Sequence, residues 1–228
     1  MSAYELHKSS VLLTSKANVP SSDLSIRLRE TSESVAPYYK PLETISIEEA
    51  RTRRSTLSGV SISAQSMAEL LFLSMFDTKD EGRRPYPAAG GVYTVQMYLL
   101  AYQVKDLAGG VYFVRWSDRN LEKIGSLDAA VRFREEAIFQ EKKESIGAIG
   151  LLVSDARLAR IKYHDRAWRM GMIEAGALLQ TLYLAGSKLS LPICGLGAIS
   201  DRAVLKLCRL QPSADVSFAC GVAIGGNS

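Results

Sequence analysis

The longest apolar pattern in the chain follows Asp165. Met170, Ile173, Ala177, Leu178, Leu182, Ala185 and Leu189 fall close to one helical stripe, and Met172, Ala175, Leu179, Tyr183 and Leu184 widen it. Residues 166–189 contain no proline, and Asp165 is a good N-cap, so the pattern predicts one long helix that is buried on most sides. Gly176 and Gly186 would let another element, or a second subunit, approach closely. Only its early turns carry several charges, Arg166, Arg169 and Glu174. Lys162 and Tyr163 then stand just ahead of the cap, at the positive end of the helix dipole.

The remaining periodicity alternates between helical and extended. Residues 63–76 predict a helix capped by Ser63, with Met67, Leu70, Leu71, Ser74 and Met75 facing inward. Residues 93–104 alternate, with Val95, Met97, Leu99 and Ala101 on one side, and a Gly-containing turn leads to 111–116 as a hairpin partner. Residues 117–120 read as a turn. Residues 127–140 form an amphipathic helix whose Arg132, Arg134, Glu135 and Glu136 make a solvated face. A buried strand at 148–153, a strand and Gly-rich turn at 192–199, a capped helix at 201–210 and a last strand at 216–224 complete the pattern. Before it all, 45–54 predicts a short helix with a Ser46/Glu49 capping box. Residues 1–45 read as an irregular, Ser-rich leader with Pro20, Pro37 and Pro41, ahead of one folded domain over 46–228.

Composition narrows the class. With 228 residues, 47% of them hydrophobic and 23% charged, the chain can bury a single α/β or α+β core. A net charge of +4 without a Lys/Arg cluster does not suggest a nucleic-acid footprint and suits a small anionic ligand better. Cys194, Cys208 and Cys220 form no CxxC pair, so they read as buried thiols of a reducing, cytoplasmic setting, and no apolar run reaches membrane-spanning length. Only His7 and His164 are present, which argues against a metal centre or a Ser-His-Asp triad. A chain this poor in proton-transfer and metal-binding residues points to chemistry supplied by an organic cofactor.

Three stretches carry candidate chemistry. Arg53, Arg54 and Ser55 offer guanidinium groups beside a hydroxyl, a set that grips phosphate, although a solvated helix end is the commoner meaning. The segment RRPYPAAGGVY, residues 83–93, packs two prolines and two glycines into a stiff backbone with open N–H groups that could lie flat against a planar ring. Arg83 or Arg84 could reach that ring's charged tail. GLGAIS at 195–200 lacks the third glycine of a dinucleotide fingerprint, and too little chain follows for a βαβ unit.

These residues resemble a known family. RPYPAAGGVY at 84–93 is similar to the RPYPSAGGLYP signature of SagB-type azoline dehydrogenases, FMN-dependent members of the nitroreductase superfamily that include the microcin-type enzymes. KYHDRAWR at 162–169 resembles their KYxxRGYR, EAGALLQ at 174–180 their EAGHLxQ, and Arg53-Arg54-Ser55 the RRS opening of nitroreductases. The matches run in the expected order from residue 46 onward. Ala88 replaces the family Ser, removing one hydroxyl, and Thr94, Gln96, Ala167, Trp168 and Thr181 also depart from the pattern.

The resemblance implies an α+β nitroreductase fold: a mostly antiparallel sheet flanked by helices, a long central helix and a homodimer with FMN where subunits meet. By the same implication the flavin contacts are Arg53, Arg54, Ser55, Arg83, Arg84, Pro87, Ala88, Ala89, Gly90 and Gly91, with Gly195 and Gly197 offering N–H groups to its edge. Lys162 and Tyr163 are the implied catalytic pair, a phenol able to act as base with help from an ammonium and a helix N-terminus. The implied reaction dehydrogenates peptide thiazolines or oxazolines to thiazoles or oxazoles, with dioxygen as electron acceptor and cyclodehydratase subunits as partners. Other readings are an NAD(P)H-dependent reductase, an oxidase of carrier-bound azolines or cyclic dipeptides, and a non-catalytic scaffold subunit.

Overall fold

The computed structural model describes residues 62–76, 83–139 and 145–226. The expected helix at 45–54, with Arg53, Arg54 and Ser55, lies outside the described residues. In chain order the elements are β1 (Ile62–Ser63), α1 (Ala64–Met75), β2 (Val95–Ala101), β3 (Val104–Lys105), β4 (Gly110–Arg115), β5 (Asn120–Ser126) and α2 (Leu127–Ala137). There follow β6 (Ile146–Asp155), α3 (Arg157–Tyr163), α4 (Ala167–Lys188), β7 (Ile193–Leu196), α5 (Asp201–Leu207) and β8 (Val216–Gly226). Six strands form one antiparallel sheet in the order β5-β4-β2-β6-β8-β7, and β1 pairs with β3 in a small parallel ladder. This is an α+β architecture.

Helices cover both faces of the sheet. On one face α1 and α4 pack against Val95, Met97, Leu99 and Ala101. On the other, α2 and α5 cover Tyr98, Leu100, Ile149 and Leu151. Alternation along β2 therefore sorts side chains between two apolar cores rather than between core and water, and β6 is buried throughout. Ser63 and Ser126 cap α1 and α2, their hydroxyls accepting N–H bonds from Ser66 and Ala129, and Ser200 does the same for α5.

The expected long helix over 166–189 is present as α4, Ala167–Lys188. The departure lies ahead of it: a separate helix, α3, ends at Tyr163, His164–Arg166 make a single 3-10 turn, and α4 begins at Ala167. Asp165 is not its N-cap. That carboxylate accepts a bond from Arg160 Nη2 at 2.9 Å, while Arg160 Nη1 donates to Asp215 at 2.7 Å. His164, at φ 49° and ψ −134°, turns the chain between the two helices. One face of α4 is also open. Ala175, Leu178, Leu182 and Ala185 are buried, but Trp168 is 52% exposed and Ile173 61%. Gly186 does permit a close approach, since a Cβ there would clash with Ile193, whereas Gly176 meets nothing in this chain. No helix among the described residues is long and apolar enough to cross a membrane.

Candidate active site

Adjacent strands bring the two principal motifs together. β2 starts beside the end of β6, where the Asp155 N–H donates to the Thr94 carbonyl at 2.9 Å. The loop 83–94 thus enters the sheet next to the point where β6 leaves it for α3. The N–H of Ala156 donates to Asp215 O at 2.7 Å, and Arg157 pairs with Asp155 at 2.8 Å, so the start of α3 is fixed from two sides. Seven residues along, the helix ends in Lys162 and Tyr163.

Within the loop, Ala89–Gly91 form a 3-10 turn, with φ 60° at Gly90 and 68° at Gly91. A Cβ on Gly90 would lie 2.5 Å from Tyr163 Oη and 3.1 Å from Lys162 Nζ. The turn can come this close to the pair only because residue 90 has no side chain. Tyr163 also packs with Val92, Ala159 and Ala167, while Lys162 is exposed with its Nζ 5.3 Å from the Tyr163 ring centre. The phenol and ammonium thus overhang the same turn, whose Gly90 lies 73 positions before Tyr163 in the chain. Their setting differs from the sequence expectation in one respect. They close the C-terminal end of α3, where the helix dipole favours the lysine cation and gives a phenolate no help.

Arg84 has a different task from the one its motif suggests. Its Nη1 donates to Tyr86 Oη at 2.6 Å and to Val95 O at 3.3 Å. Its guanidinium lies 4.6 Å from the Tyr93 ring centre and 5.0 Å from that of Trp116, and its own N–H donates to Tyr93 Oη at 2.8 Å. Burial pushes the Tyr86 phenol up to about 12, against the opposing pull of Arg84. Arg84 therefore stacks and ties the loop, and its cation is committed there. Arg83, Pro85 and Pro87 are exposed, and Ala88, Ala89, Gly90 and Gly91 are half-buried along the same turn.

A residue whose position sequence reasoning misread holds the loop's other end. Glu174, 2% exposed on α4, accepts bonds from Thr94 N and Thr94 Oγ1, both 3.0 Å, and from Val95 N at 2.9 Å. Burial raises its pKa, opposed by those three bonds. One turn earlier Gly171 lets α4 close on Ser154 and Thr94, because a Cβ there would overlap the Ser154 hydroxyl. The only sequence signal for Glu174 was its place within EAGALLQ.

Gly195 and Gly197 are not beside this pair. β7 is an edge strand three places from β2, about 14 Å across the sheet. The Gly195 N–H already donates to Tyr183 Oη at 2.8 Å, and Gly197 is exposed.

Comparison with known proteins places the whole arrangement. Residues 47–226 match the family described as "Nitroreductase family". A nitroreductase-named protein of Methanocaldococcus jannaschii is 25% identical over 183 residues, covering 75% of this chain and 87% of its own length. Among solved structures, the Escherichia coli microcin synthetase McbBCD complex with truncated pro-MccB17 bound contains a chain with TM-score 0.67 and 19% identity. It covers 93% of this chain and 84% of that one. A nitroreductase-type protein from Desulfovibrio desulfuricans, solved with FMN, gives TM-score 0.55 at 17% identity, covering 82% of this chain and 88% of that one. Another from Anabaena variabilis gives 0.65 at 23%, covering 79% of this chain, which spans only 38% of that longer one. With the fold, the loop and the family match in agreement over most of its length, the chain belongs to the nitroreductase family of flavin oxidoreductases.

Proposed function

We propose that this protein is an FMN-dependent dehydrogenase that oxidises thiazoline or oxazoline rings of a precursor peptide to thiazoles or oxazoles. The observation that carries the reading is the convergence of Lys162 and Tyr163 on Gly90, which joins the two motifs most specific to SagB-type azoline dehydrogenases. The fold likeness to a chain of the microcin synthetase complex supports it.

The residues present suit a flavin. The turn at 89–91 is half-buried and lacks side chains at two positions, and the first N–H groups of such a turn have no partner inside it. Pro87, Ala88, Ala89, Gly90 and Gly91 would line the ring, and Arg83 with Arg53, Arg54 and Ser55 would hold the phosphate. When bound, the flavin would accept a hydride from the azoline ring and pass the electrons to dioxygen.

The protein's own part is to remove the proton from the adjacent α-carbon. Tyr163 takes it as the phenolate, stabilised by the Lys162 ammonium; alternatively neutral Lys162 takes it and Tyr163 orients the amine. Lys162 is exposed and can return the proton to water. Such general-base help is worth roughly 10² to 10⁴ in rate. The peptide and the cyclodehydratase subunits that make its azolines would be partners, and the open face of α4 would meet a second copy of this chain.

The test uses the full chain loaded with FMN and an azoline-bearing peptide. Tyr163→Phe and Lys162→Ala should keep the wild-type flavin absorbance and lose roughly 10²-fold or more in turnover, measured as loss of two hydrogens from the peptide mass. Full turnover in both variants would end the assignment.

A further inference from the structure

A second site lies on the sheet face opposite α1 and α4. The side chains of α2 and α5, with the end of β5, enclose an open groove of about 530 Å³. Its floor is apolar, built from Ile124, Phe133 and Leu207. Its rim is not: Arg132 stands on one wall and Lys206 and Arg209 on the other, all exposed, against the single carboxylate of Glu136. Three cations against one anion leave two positive charges in excess around a greasy floor. Among the described residues none of the three cations forms an ion pair, unlike Arg134, which is held by Glu135 and stacked on Tyr102.

We propose that this groove docks an acidic, apolar-anchored segment of a partner protein, most simply a helix with Asp or Glu beside two or three large aliphatic side chains. Two helices flanking an apolar floor take such a segment as a third. The cationic rim selects its charge and speeds its encounter. A nucleic-acid backbone fits worse, because an apolar floor offers it nothing and Glu136 would face its phosphates. The site is separate from the Lys162–Tyr163 chemistry and does not depend on the substrate proposed above.

Fluorescence anisotropy tests it directly, using the full chain and a labelled helical peptide in which Glu pairs alternate with Leu pairs. Saturable binding is expected, weakening with salt and falling about tenfold or more in the Arg132→Glu/Lys206→Glu double variant. A control peptide with Ser in place of Leu should also bind about tenfold more weakly, since it keeps the charge and loses the anchors. Flavin absorbance and thermal midpoint, measured alongside, should stay at wild-type values and show that the double variant is folded. Lack of wild-type binding, equal affinity in the double variant, or equal affinity for the Ser peptide would each overturn the proposal.

Discussion

At the scale of single residues, Glu174 and Gly90 define the loop from its two ends. Glu174 is a buried carboxylate that accepts three hydrogen bonds, all from residues 94 and 95. Replacing it with Gln exchanges one acceptor for a donor facing the Val95 N–H, at a cost of about 1–3 kcal/mol. The pH dependence has a definite sign. Burial holds the Glu174 pKa above the usual carboxylate value, so its contribution is fully present below the unfolded pKa and fades as pH rises through the folded one. The thermal midpoint of the wild type relative to Glu174→Gln should be highest in acid, below the ordinary carboxylate pKa, and decline as pH rises above it; a gap that instead widens with rising pH rules the assignment out. Gly90→Ala places a methyl group against Tyr163 Oη at a φ of 60°. It should lower stability by only about 1–2 kcal/mol while displacing Tyr163, so turnover should fall further than the midpoint does. Neither effect could be read from the sequence in full. The loop motif marks Gly90, but the reason it must be glycine is a phenol 73 positions later, and Glu174 looks like one more polar residue on a helix face until its partners at 94 and 95 are seen.

Elements were legible where one face or one cap determined them. The cap at Ser63, and the strands β2, β4, β6 and β8, follow from local pattern. β5 does not, because NLEKIGS alternates weakly and gains its strand character from pairing with β4. The helix α3, which no local pattern predicted, is the instructive failure. The proline-free stretch 166–189 does form the continuous α4, but nothing in the composition of 157–163 announces a separate helix ahead of it. At the turn between the two helices Arg160 reaches Asp215 from a distant part of the chain and Asp165 within the turn. His164 bears the cost, with a left-handed φ that a side chain rarely adopts. His164→Gly relieves strain of about 1–3 kcal/mol and gives back about 0.5–1 kcal/mol in unfolded-chain entropy. A net rise in thermal midpoint is therefore expected, with the α3–α4 geometry and flavin binding retained. A fall in midpoint would mean that the turn is not strained.

At the scale of the whole molecule, the sheet sealed on both faces explains why a chain with so few reactive side chains can still assemble a site. Strand order puts loop 83–94 beside α3, and the site follows from that adjacency rather than from any local cluster. The same scale explains the open face of α4. Arg169, Ile173, Gly176 and Gln180 share one side at helical spacing, Trp168 and Ile173 are more than half exposed, and a Cβ at Gly176 would touch nothing. Scattered apolar residues on a surface need no explanation, but a tryptophan, an isoleucine and a bare glycine on one helix make a surface suited to close backbone packing. If two copies meet there, Ile173 becomes a core side chain, and Ile173→Glu puts a pair of like charges into the contact. Losing the burial of one such side chain per protomer amounts to about 1.5–3 kcal/mol each, which together shift the dimer dissociation constant by about 10²-fold or more. Sedimentation should find the wild type as a dimer and the variant mainly as a monomer at micromolar concentration, with the variant's thermal midpoint close to that of dissociated wild type. A monomeric wild type, or a variant that sediments unchanged, would take the second copy away from α4.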